Sequence, residues 1–156
     1  ELVFDRVHYS YPLSRAVEEK ICASYELVPW PEDETPQGTH ELFFCESNQA
    51  AQQRALRVLH SDSLTYESRS DGSYQRKMQS FSSGLVKRMY CNRMLTEGFD
   101  DPRITRVYIG KETKSEILNY QMVGRALRFL PNKRAQIYCI DRPCALRVEA
   151  ALRRAG

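Results

Sequence analysis

The chain has 156 residues, 42% of them hydrophobic and 28% charged, enough for one ordinary domain with a real core and too few for two full-sized ones. This balance excludes a chain disordered by composition, and a net charge of +3 is too small to signal nucleic-acid binding by itself. No apolar run approaches the roughly 20 residues of a membrane span and the start, Glu1, lacks a basic and apolar signal region, so the expected setting is intracellular, without a membrane.

Taken in order, residues 4–9 read as a first strand, followed by Leu13, Val17 and Ile21 at helical spacing. The one long irregular segment is 28–39, with Pro29, Pro31, Pro36 and Gly38. It reads as an irregular Pro-rich surface loop inside a single domain spanning 1–156. The opening Glu1, in place of a Met, reads as the start of a processed or excised piece. Residues 41–45 (Glu-Leu-Phe-Phe-Cys) form a strand pattern, and Ser47 is placed to cap a helix with Ala51, Ala55, Val58 and Leu59 on one face. A short strand at 64–66 precedes a helix from about Asp71, where Tyr74, Met78 and Phe81 repeat at i, i+4 and i+7. Strands are expected at 86–91, 106–109 and 135–140, with a helix at 113–128 between the last two. A final helix follows Asp141 as N-cap and Pro143.

Such β–α alternation implies an α/β fold, a parallel sheet with helices on both faces. In sheets of that kind ligands bind outside the carboxyl ends of the strands, which directs the search to the loops after Cys45, Cys91 and Ile109. Five cysteines (Cys22, Cys45, Cys91, Cys139, Cys144) contain no Cys-x-x-Cys pair, and His8, His40 and His60 are far apart. A zinc site would need ligands from unrelated segments, so the expectation is buried, reduced thiols and no metal.

Two stretches carry candidate chemistry. In Gln121-Met-Val-Gly-Arg-Ala-Leu-Arg128, helical spacing puts Gln121, Arg125 and Arg128 on one side, and Tyr120, Val123, Ala126 and Leu127 on the side facing the sheet. By spacing alone this is a solvated face of a surface helix. Two arginines aimed at one point are also how charge on a transferring phosphoryl group is stabilised. Gly124, costing about 1 kcal/mol relative to Ala inside a helix, hints at a close approach there. The second stretch is Met94-Leu-Thr-Glu-Gly-Phe-Asp-Asp-Pro102, directly after a strand. Gly98 and Pro102 make it a loop, with Thr96, Glu97 and Asp100 as its polar groups.

Together and in this order, Thr96-Glu97-Gly98-Phe99-Asp100 and Gln121-x-x-Gly124-Arg125-x-x-Arg128 resemble motifs V and VI of superfamily 2 helicases and translocases. Residues 41–47 resemble the strand and turn of motif IV. The run 76–84 (Arg-Lys-Met-Gln-Ser-Phe-Ser-Ser-Gly) is similar to the family's arginine-bearing helix, and 9–17 with 25–29 resemble the lead-in of members related to restriction-enzyme motor subunits and to repair and transcription helicases. The resemblance implies a three-layer RecA-like domain, the C-terminal one of two lobes that sandwich ATP and Mg²⁺. It implies Arg125 and Arg128 as arginine fingers and Gln121 as a γ-phosphate sensor. Asp100 would contact the ribose or order the fingers, with Glu97 and Gly98 beside it on the nucleotide side. Thr96 and Ser47 would lie along a nucleic-acid backbone. DEAD-box members that act on RNA usually carry His-Arg-Ile-Gly-Arg at motif VI; Gln121-Met122 departs from that, and Glu97-Gly98-Phe99-Asp100 is more typical of duplex-DNA translocases. DNA is therefore the expected partner, alongside the N-terminal lobe of a parent chain.

The rest of an ATPase is missing from this sequence. The only Gly-Lys pair, Gly110-Lys111, is followed by Glu112, and Thr105 stands where the first glycine of a phosphate-cradling loop belongs. No apolar strand ends in a magnesium-binding Asp-Glu box, since Glu32-Asp33-Glu34 lies in the Pro-rich segment. Isolated, the chain is expected not to hydrolyse ATP. The rival reading is a non-catalytic helicase-like module that binds nucleic acid or protein.

Overall fold

Six short strands pair in parallel among the residues that the computed structural model describes, 13–93 and 101–155. They are β1 (Ser24–Val28), β2 (Glu41–Phe44), β3 (Ser61–Leu64), β4 (Arg88–Cys91), β5 (Arg106–Ile109) and β6 (Arg134–Cys139), in the sheet order β1-β6-β5-β2-β4-β3. The helices are α1 (Leu13–Glu18), α2 (Asn48–Arg57), α3 (Tyr66–Ser70), α4 (Tyr74–Ser83), α5 (Glu116–Gly124) and α6 (Arg142–Ala155).

Register explains which faces they cover. Across the sheet one row reads Ser61, Arg88, Glu41, Arg106, Gln136, Glu26, and the next Asp62, Met89, Leu42, Val107, Ile137, Leu27. A third row, Ser63, Tyr90, Phe43, Tyr108, Tyr138, Val28, is followed by Leu64, Cys91, Phe44, Ile109, Cys139. Because successive side chains point to opposite faces, the two aliphatic rows share a face. That face packs on Leu13 of α1, Phe81 of α4, Met122 and Val123 of α5, and Val148 and Leu152 of α6. The polar and aromatic rows share the other face, under Ala51 of α2 and Trp30. This is the α/β layering, a parallel sheet with helices on both faces, that the β–α alternation implied.

Residues 29–39 form no helix or strand and lie against the polar and aromatic face. Trp30 meets Phe43 edge-on (centroids 5.4 Å apart) and Tyr108 likewise (6.1 Å), a preferred geometry of ring quadrupoles. Beneath them Tyr108 stacks on Tyr138 at 4.3 Å. Arg88 and Glu41, both almost wholly buried, form an ion pair at 2.9 Å. Glu41 Oε1 accepts from Arg88 Nε and Nη2, and its Oε2 accepts the backbone N–H groups of Gln37 and Gly38, each at 2.9 Å. Arg88 also donates to Glu34 O and to the Tyr90 hydroxyl, and its guanidinium lies 4.3 Å from the Tyr108 ring centre. Burial works against the Arg88 charge; the Tyr90 hydrogen bond and the field of Glu41 outweigh it and hold its pKa above the ordinary arginine value.

Several boundaries differ from expectation. The first helix stops at Glu18 rather than reaching Ile21, because Lys20 takes a left-handed φ of 60° and Ile21 turns out to solvent, 56% exposed. β1 was not expected as a strand: it is an edge strand paired only to β6, so its apolar alternation is weak. In α2, Ala51 is buried and Ala55 and Val58 pack beneath it, but Leu59 lies past the helix end and is 82% exposed. The strand placed at 64–66 is instead β3 at Ser61–Leu64; a capping box between Thr65 and Ser68 starts α3, which was not foreseen. α4 ends on Gly84, whose φ of 85° is the left-handed stop glycine favours. Asp141 caps α6 through a 2.8 Å bond from Cys144 N. The strand expected at 4–9 lies outside the described residues. No described helix is long and apolar enough to cross a membrane.

Candidate functional site

The arginine-bearing helix is shorter than its spacing predicted. Ser115 Oγ accepts from Leu118 N at 3.2 Å and starts α5, with Asn119 buried and its amide donating to Thr113 O. The helix ends at Gly124. Arg125 is its C-cap, and Ala126 N and Leu127 N bond three residues back rather than four, to Val123 O and Gly124 O. Ala126 and Leu127 sink into the core, and the chain straightens so that Arg128 forms an isolated antiparallel bridge with Cys22. The expected helix to Arg128 is therefore corrected: Arg128 stands on extended backbone, and helical spacing no longer relates it to Arg125. Val123, Ala126 and Leu127 face the core as expected; Tyr120 does not, being 39% exposed while Asn119 and Met122 take the inward positions.

Gln121 and Arg125 are half-buried, Arg125 Nε donates to Gln121 O at 3.3 Å, and Arg128 is exposed. A Cβ on Gly124 would meet nothing within 4 Å, so the close approach inferred there is not made by the described part of this chain.

Leu127 O accepts from Ala23 N at 2.9 Å, just before β1, and Lys133 Nζ, just before β6, donates to Arg128 O at 2.8 Å. The arginine segment thus sits at the amino ends of β1 and β6, not at the carboxyl ends where open sheets usually bind ligands. α5 runs back along the sheet and carries it there. Lys133 Nζ also donates to Pro102 O at 2.9 Å. One ammonium therefore holds the backbone carbonyls of Pro102 and Arg128 within two hydrogen-bond lengths of each other. Burial pushes Lys133 down to about 8, the nearby Asp101 carboxylate pulling the other way. Nothing in the spacing of charges marked Lys133 as part of a site. Thr96, Glu97, Gly98 and Asp100 lie outside the described residues.

Ser47 lies at the opposite, carboxyl end. Its Oγ accepts from Ala50 N at 3.0 Å as the cap of α2 and keeps its own proton to donate. There too Lys111 Nζ donates to Asn92 O and Oδ1, tying the ends of β4 and β5 together, and burial lowers its pKa. Gly110 is a packing glycine: a Cβ there would stand 2.6 Å from Phe43 Cε1 and 2.8 Å from Phe44 O. The lone Gly-Lys pair is thus a strand-end tie and not a phosphate cradle. The described cysteines are all free thiols, four of them buried, and burial drives Cys45 up to about 12. Among the described residues no three His, Cys, Asp or Glu side chains converge as a metal would require.

At the level of sequence, neither a family model nor a curated protein matches the chain. Solved structures do match its fold. One is a fragment assigned as an HsdR subunit of a type I restriction enzyme from Vibrio vulnificus YJ016, 16% identical with a TM-score of 0.71 over 87% of this chain. Mycobacterium smegmatis helicase Lhr, solved with ssDNA and AMP-PNP, gives 12% identity and a TM-score of 0.63 over 85%. The chain spans 35% of the first and 22% of the second. The C-terminal domain of the DEAD-box protein Dbp5 matches over 89% of this chain and 87% of its own length, at 16% identity and a TM-score of 0.57. The fold is the RecA-like α/β fold that these structures share, the C-terminal domain of Dbp5 among them.

Proposed function

We propose that this chain is the C-terminal ATPase lobe of a superfamily 2 DNA helicase or translocase, completing a nucleotide site held mainly on an amino-terminal lobe. The observation that carries the reading is the Lys133 clamp, which draws the motif VI arginine Arg128 to the exit of the motif V loop at Pro102. In families built this way those two motifs act on one nucleotide. Magnesium–ATP on the facing lobe supplies the phosphoryl group, and this chain's part is to present guanidinium groups to its γ-phosphate. Arg125 Nε donates to Gln121 O, which steadies the guanidinium at the helix end. Gln121 senses the same phosphate, and Asp100, Glu97 and Gly98 order the nucleotide side. At the other end of the strands Ser47 and, by the resemblance, Thr96 follow a nucleic-acid backbone. The Glu97-Gly98-Phe99-Asp100 wording, by the resemblance, supports DNA as the nucleic acid.

The test is phosphate release with the pure chain, alone and with DNA, and again after adding the amino-terminal lobe of the same parent. Turnover should stay at buffer level without that lobe and appear with it. DNA binding by the chain alone should be weak, with a Kd on the order of 10⁻⁴ M at physiological salt. Magnesium-dependent turnover by the chain alone would overturn the reading; micromolar, sequence-specific DNA binding would favour the non-catalytic module.

A further inference from the structure

A cavity of about 600 Å³ opens at the amino ends of β5 and β6, on the face whose other half is covered by α2. Its walls include Arg103, Arg106, Lys133 and Arg134, and among the described residues no carboxylate lines it. The acids that pair with these cations stand outside: Asp101 with Arg103 at 2.7 Å, Glu26 with Arg134 at 3.4 Å, Glu41 with Arg106 at 4.0 Å. The last pair is long for a reason. Both Glu41 oxygens already accept two hydrogen bonds each, from Arg88 and from the Gln37 and Gly38 backbone. Arg106 is left short of acceptors, its Nε buried without a partner. Gly38 lets that side chain lie flat: a Cβ there would stand 2.8 Å from Arg106 Nη1. Lys133 likewise uses two of its three donors on carbonyl oxygens and keeps a third.

Buried donors of this kind are paired in native proteins, by protein or by something bound. The neighbouring acids cannot do it without abandoning partners they already hold. The cavity is a wide-open cleft with room for a small charged group.

We infer that this cavity binds a compact, multiply charged oxyanion, the phosphate groups of a small molecule, between Arg106, Lys133 and Arg134. The cavity shares Lys133 with the clamp described above but uses neither Arg125 nor Gln121, so Arg134→Gln, which leaves the clamp intact, separates this inference from the helicase reading. Cationic walls without a carboxylate favour phosphate chains over zwitterions, and planar Arg106 and Arg134 suit paired oxygens. Burial lowers the Lys133 pKa, a cost that a bound anion would offset.

Titration of the 156-residue chain with inorganic pyrophosphate, followed by calorimetry at 0.15 M salt, tests it. Saturable one-to-one binding is expected, weakened roughly tenfold or more in Lys133→Gln and in Arg134→Gln, the loss of one charge-assisted hydrogen bond. Arg134 is largely solvent-facing, so Arg134→Gln keeps the test sound if Lys133→Gln unfolds. Arg153→Gln, on the far end of α6, should bind as the wild type does. Failure to saturate by about 10 mM, tenfold weaker than a millimolar site, overturns the inference, as does equal loss in Arg153→Gln. Displacement of pyrophosphate by a single-stranded oligonucleotide at lower phosphate concentration would reassign the cavity to a nucleic-acid backbone and also overturn it.

Discussion

Replacing Glu41 with Gln should loosen the second face of the sheet more than any surface change could. The substitution keeps shape and volume. It removes the charge opposite Arg88, which is 1% exposed in its side chain, and puts an amide NH₂ where every neighbour is a donor. Stripping one partner from a buried ion pair costs about 3–5 kcal/mol. For a domain of this size each kcal/mol lowers Tm by roughly 2–4 °C, so the drop should be roughly 6–20 °C. Calorimetric melting at pH 7 measures it. A companion variant, Glu41→Leu with Arg88→Met, removes the unpaired charge but leaves the Gln37 and Gly38 N–H groups without their acceptor, so it should regain only part of the loss. A Glu41→Gln melting point within about 3 °C of wild type, under 2 kcal/mol on the same scale, would refute the view that this network pins residues 29–39 to the sheet.

Gly110→Ala should destabilise by about 1–3 kcal/mol, since its Cβ would press on Phe43 and on the Phe44 carbonyl; an unchanged urea midpoint would show the strand ends can give way. Lys133 titrates at about 8 in the folded chain, below its ordinary 10.5. Between those values the unfolded chain binds more protons, so stability rises with pH through this window. Urea midpoints of wild type relative to Lys133→Met should increase from pH 7.5 to 10, and a flat or falling difference would contradict a depressed lysine.

Most of the sheet was legible because its central strands are buried on both faces and read as apolar runs: β2 and β5 fall where residues 41–45 and 106–109 put them. What sequence missed has physical causes. β1, at an edge, exposes Leu27 and alternates poorly, so pattern gave no sign of it. The end of α5 was misjudged because Ala126 and Leu127 keep helical spacing while leaving the helix for the core. The row that joins Arg88, Glu41 and Arg106 exists only through strand order, since the three residues are far apart in the chain. The Lys133 clamp depends on carbonyl acceptors, which no side-chain motif encodes.

The central claim is that Arg125 and Arg128 act on a nucleotide held elsewhere, and DNA-stimulated ATP turnover by the two-lobe parent protein tests it directly. Arg128 is exposed and Arg125 half-buried at a helix end, so Arg125→Ala and Arg128→Ala should each melt within about 1 kcal/mol of wild type, as non-core substitutions do. Loss of an arginine finger should lower turnover about 10³–10⁵-fold with little change in nucleotide affinity, and Lys should rescue poorly because a point charge cannot reproduce the planar fork. If both alanine variants stay folded and keep turnover within about tenfold of wild type, a loss too small for a finger, the arginines are a solvated surface and the account is wrong.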